Sequence, residues 1–117
     1  MKTIVMVLGV VVLLVGVIGY FNNPVLSLFP VNGLHNLVHL AIGVLLIIFA
    51  MRGDAGASMI AKVMGIVFAL VAILGFLAPD LMADLLAIDM ADNWLHVVLA
   101  IVFLWIGFGM KPKTMAM

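Results

Sequence analysis

Four stretches of almost unbroken apolar sequence, at 4–21, 34–51, 60–77 and 94–110, constrain this chain more than any other feature. Each is about 17–18 residues long, close to the ~20 that a helix needs to cross the hydrocarbon core of a bilayer. A soluble domain carries about a quarter charged residues. Here only 9% are charged, 68% are hydrophobic and the mean hydropathy is +1.48. Backbone polar groups in lipid must be satisfied internally, which leaves helices or a closed barrel, and the apolar/polar alternation of a barrel is missing. The expected fold is all-α: a bundle of four transmembrane helices forming a single membrane domain over 1–117.

The start, Met1-Lys2-Thr3 followed by an apolar run, has the outline of a secretory signal. No A-x-A-like site follows it, and the run has a matching partner inside the chain, so it is read as the first span. Lys2, Arg52, Lys62, Lys111 and Lys113 all lie before the first run, between the second and third, or after the fourth. By the positive-inside rule both termini are expected in the cytoplasm, with the other two connections facing outward. The second outward connection bears Asp80, Asp84, Asp89 and Asp92, so the outer surface is acidic. Tyr20, Phe21 and Trp94 suit the outer interface and Trp105 the inner one.

The two halves of the chain match. Gly9 pairs with Gly65 and Gly19-Tyr20 with Gly75-Phe76; Asn36-Leu37-Val38-His39 returns as Asn93-Trp94-Leu95-His96. The reading is two tandem two-helix repeats, 1–56 and 57–117, related by a pseudo-two-fold axis along the membrane normal, with His39 and His96 at one depth. Gly9, Gly16 and Gly19 in the first span, and Gly65, Ala69, Ala72 and Gly75 in the third, are small residues of the kind that let helices pack closely. Pro79 is placed to start a short surface helix through Leu86. The segment from Asn23 to Pro30 is its more apolar counterpart, and the two look like lids over the outer ends of the spans.

At 100° per residue, Asn32, His35, Asn36, His39 and Gly43 share an arc of about 100° on the second span. Asp89, Asp92, Asn93, His96 and Ala100 share the matching arc on the fourth. Polar groups at membrane depth avoid lipid, so both faces are expected to turn inward and meet. His35 stands where the other repeat has Asp92, which offers a histidine-carboxylate contact between the helices. His39 lies only about 7–8 Å along its helix, at 1.5 Å per residue. Beyond it neither span offers an ionisable group until Arg52 and Lys111, so a through-going ion path is not expected.

Several uses of this face remain open. Asn36, Asn93 and the histidines can form a hydrogen-bonded network that locks the second span to the fourth. A b-type haem can be held between His39 and His96, although no outer Lys or Arg would neutralise its propionates. His35 and His39, one helical turn apart, can join His96 and Asp92 in a nitrogen/oxygen ligand set for zinc or a similar divalent metal. Recognition of a lipid headgroup or a partner protein through the lids is a fourth use.

The chain has no cysteine, which excludes thiolate sites and disulfides, and its ten methionines read as membrane-core filler. With no phosphate loop, nucleophile elbow or basic patch, neither an enzyme nor a nucleic-acid binder is expected. The expected partners are the lipid bilayer and either further copies of this chain or a larger membrane complex.

The stretch Val31-Asn32-Gly33-Leu34-His35-Asn36-Leu37-Val38-His39-Leu40-Ala41-Ile42-Gly43, with Asp92-Asn93-Trp94-Leu95-His96, resembles a family of small bacterial four-helix membrane proteins catalogued only as a domain of unknown function. The resemblance covers nearly the whole chain. It implies a four-span protein of the bacterial inner membrane and brings no established activity. The function expected from residues and resemblance together is a structural, accessory or sensing component with a polar, outward-facing pocket.

Overall fold

The computed structural model describes residues 1–21 and 32–111. The connection between the first two spans, 22–31, and the tail, 112–117, lie outside the described residues, so the lid read at Asn23 to Pro30 falls there. Helices α1 (Lys2–Gly19), α2 (Gly33–Ala50), α3 (Asp54–Leu77), α4 (Pro79–Leu86) and α5 (Met90–Leu104) follow in order, and a π-helical turn, Trp105–Gly109, extends α5. Counting that turn with α5, four helices of 18, 18, 24 and 20 residues are long and apolar enough to cross a membrane. Eighteen residues at 1.5 Å each rise about 27 Å, near the thickness of a hydrocarbon core.

Most large apolar side chains point outward, among them Val7, Leu14, Leu70 and Ile101. Lipid replaces water around such a surface, so cohesion between helices comes from close packing and interhelical hydrogen bonds. A Cβ on Gly9 would lie 2.9 Å from Leu46 and one on Gly65 2.8 Å from Leu104, while on Gly43 it would meet the Leu13 backbone at 2.7 Å. These glycines let α1 lie along α2 and α3 along α5 as two tight hairpins. Val5, Leu46, Phe103 and Ile106 are the fully enclosed core between them.

Only Met51, Arg52 and Gly53 separate α2 from α3, and Gly53 takes φ 91°, where a side chain would be strained. At this end the Lys2 backbone N–H donates to Asp54 Oδ1 at 3.0 Å, tying the start of α1 to the start of α3. The chain closes with Met110 N–H donating to the Trp105 carbonyl at 3.1 Å, while Ser58 Oγ donates to the Gly107 carbonyl at 3.3 Å.

Two expectations need correction. Helix α3 starts at Asp54 rather than near residue 60, and α5 at Met90 rather than 94, because α3 begins with the small and polar residues Asp54 to Ser58 and α5 with the capped turn through Asp92, which hydropathy overlooks. The last apolar run ends in a π turn, not a uniform α-helix. Among the described residues α2 touches α3, but no Cα of α1 comes within 8 Å of α5.

Candidate functional site: a histidine cluster at the hairpin seam

Each hairpin starts its second spanning helix with the same side-chain device. Asn32 Oδ1 accepts from the His35 backbone N–H at 2.8 Å, and Asp89 Oδ1 accepts from the Asp92 N–H at 3.0 Å. These are N-caps, which satisfy donors the helix itself cannot. In the second hairpin Asp92 Oδ2 also accepts from the Asp89 N–H at 3.1 Å, completing a capping box. The first hairpin has a histidine at that position and no reciprocal bond. Instead Asn32 Nδ2 donates to the Leu85 carbonyl at 3.1 Å, fastening α4 to the head of α2.

One residue further on, the two asparagines turn toward the first helix of their own hairpin, α1 or α3. Asn36 packs on Gly19 and Asn93 on Gly75, each so closely that a methyl on the glycine would overlap the amide. Asn93 Nδ2 donates to the Gly75 carbonyl at 3.0 Å, a bond buried between α5 and α3. The asparagines therefore brace each hairpin internally, and Asn93 does not supply the α2-to-α5 bond that its position on the polar face had suggested.

Histidines reach across that gap. No Cα of α2 lies within 8 Å of α5 among the described residues, yet a ligand atom from each of His35, His39 and His96 lies within 4.8 Å of the other two. His35 Nε2 and His39 Nε2 are 3.1 Å apart. The His96 ring centroid is 6.2 Å from that of His35. His35 and His96 are only 4% and 3% exposed, and His39 is half-buried. The Nδ1 atoms of all three rings are buried without a hydrogen-bond partner among the described residues.

The rings line a cavity of about 50 Å³ whose other walls include Val38 and Ile42 of α2, Val67, Phe68 and Val71 of α3, and Leu86 and Ile88 at the end of α4. Phe68 stacks on His96 at 5.8 Å between centroids and on Phe103 at 5.6 Å, giving an aromatic floor. Leu86 and Ile88 reach the cavity through a turn at Ala87, which takes the left-handed φ of 57° while Ile88 N–H donates back to the Met82 carbonyl.

Of the eight polar positions singled out in the sequence, three converge on the cavity. Asn32 and Asp89 are helix caps, and Asn36 and Asn93 are packing residues. Asp92, 2% exposed, stays out of the cluster because its carboxylate is turned to the head of its own helix. Phe68, Leu86 and Ile88 were not singled out. For Phe68 a signal existed, since it falls between Gly65 and Ala72 on the packing face of α3.

Four apolar spans and an interior closed by small residues define an all-helical, multi-pass membrane protein. The sequence model described as Domain of unknown function (DUF4383) matches residues 2–109, and the chain belongs to that family. No curated protein and no solved structure matches the chain.

Proposed function

We propose that this protein is a sensing or accessory component of the bacterial cytoplasmic membrane, and that its histidine cavity is a ligand-operated clasp between the two hairpins. One observation carries this reading: three imidazoles, each with a buried Nδ1 that lacks a hydrogen-bond partner among the described residues, come together across a seam where the backbones of α2 and α5 stay apart. Each hairpin is braced internally, so a ligand that engages all three rings acts on how the hairpins sit against each other. The apolar core between the cluster and the basic end, including Met64, Phe103 and Leu46, suits a sensor better than a conduit. It also suits a protein without catalysis of its own.

Lys2, Arg52 and Lys62 cluster near the α2–α3 turn, which favours cytoplasmic termini and a cavity near the outer face. A cavity of about 50 Å³ accommodates an ion or one or two waters, which favours a small ligand over haem. The outward apolar surface leaves room for self-association or for a larger membrane partner.

The chain has no cysteine, so paired labels can be placed cleanly. Spin labels on Leu37→Cys and Val98→Cys, both at exposed positions, report the distance across the clasp in nanodiscs. Labels on Val7→Cys and Met59→Cys report the basic end. His96→Ala is expected to broaden the first distance distribution and leave the second unchanged. An unchanged first distribution would overturn the clasp.

A further inference from the structure

We infer that the clasp's ligand is a divalent transition-metal cation of the zinc class, bound by His35, His39 and His96 with a fourth coordination position open to the cavity. The inference rests on the clasp reading and gives its ligand a chemical identity. All three donors are imidazole nitrogens. Such a set suits zinc, cobalt, nickel or copper, whereas calcium and magnesium require oxygen ligands.

The geometry is already near that of a site. At about 2.0–2.1 Å from a tetrahedral zinc, two ligand nitrogens sit roughly 3.4 Å apart. His35 and His39, on successive turns of α2, hold their Nε2 atoms at 3.1 Å. The third ligand atom is inside a 4.8 Å envelope, so a ring displacement on the order of 1 Å completes a triad. Stacking on Phe68 leaves His96 free to slide in its ring plane toward the other two.

A neutral imidazole offers one donor and one acceptor nitrogen. The Nε2 contact therefore puts His35 and His39 in opposite roles, one donating and one accepting. A cation would take a lone pair from both Nε2 atoms in place of that hydrogen bond.

The surroundings supply the remaining needs. Asp92, one helical turn before His96 on α5 and 2% exposed, keeps its carboxylate on the Asp89 N–H and stays outside the ligand set. The cavity holds the ion and about one water, and its Val, Ile, Leu and Phe walls offer no competing ligand. Two ligands come from one hairpin and one from the other, so loading links the hairpins and losing the ion releases them.

The test uses the full-length protein purified without a histidine tag, stripped with chelator and reconstituted in nanodiscs. Titration with zinc chloride is expected to load one ion per chain. Cobalt chloride is expected to give the intense visible absorption of a tetrahedral site, and magnesium and calcium to leave the protein unloaded. His39→Gln and His96→Gln should each weaken zinc binding by about a hundredfold or more, while Phe68→Leu, which keeps all three ligands, should still load one ion.

A folded wild-type protein that takes up neither zinc nor cobalt overturns the inference. So does stoichiometric binding that survives replacement of all three histidines by glutamine. The Leu37/Val98 labels separate the two readings. A distance that depends on His96 in a protein that loads no metal leaves the clasp standing and removes the metal. Metal loading without any change in that distance keeps the site and removes the clasp.

Discussion

The two hairpins use one plan and diverge at a single informative position. Both cap their second long helix with a side chain at the same place, Asn32 or Asp89, and both press an asparagine, Asn36 or Asn93, onto a glycine of the neighbouring helix. Between cap and asparagine, one hairpin has His35 and the other Asp92. The imidazole faces the cavity; the carboxylate turns back to close a capping box. The same slot thus serves the seam in one hairpin and the helix start in the other. This is why the cluster is lopsided, with two rings from α2 and one from α5.

The strongest test of the shared plan is the glycine pair. Gly19→Ala and Gly75→Ala each drive a methyl into an asparagine amide and should cost about 1–3 kcal/mol apiece, by the overpacking rule. Unfolding titrations in mixed detergent micelles measure both. If one substitution is tolerated and the other is not, the plan is shared in sequence but not in packing.

A smaller effect separates the caps. Asn32→Ala removes both the cap to His35 and the bond to the Leu85 carbonyl, and should cost about 2 kcal/mol. Asp89→Ala removes one bond and should cost about 1 kcal/mol. Equal losses in the same unfolding measurement would mean that the tie from α2 to α4 contributes nothing. Smallest is the coupling across the seam. His39→Ala and His96→Ala in a double-mutant cycle should fall short of additivity by about 0.6 kcal/mol in metal-free protein. Strict additivity would say that the rings meet without interacting until something binds them.

Much of this architecture can be read from the residues because membrane helices announce themselves. The apolar runs locate the spans, Pro79 locates α4, and the Asn-x-x-His recurrence picks out His39 and His96. The failures share one cause: apolar sequence carries no directional label. Phe68 lies on the small-residue face of α3, but the sequence does not say which ring that face will meet, so the aromatic floor under His96 emerges only when α3 is placed against α5. Asn36 and Asn93 lie on the same arc as the histidines, and a 100° arc cannot tell which neighbour each will face. Asp92 was offered as a ligand by its position, but the unsatisfied amide of Asp89, three residues away, claims its carboxylate.

The short connection through Met51, Arg52 and Gly53 also bears on how the molecule comes into being. It is the covalent link between two hairpins whose tightest packing lies within each of them. Assembly can then proceed in two stages, with each hairpin zipping as it enters the bilayer and the pair docking afterward through a modest lateral surface. On that view the histidine cavity is among the last parts of the protein to exist, formed only when two already folded halves find each other.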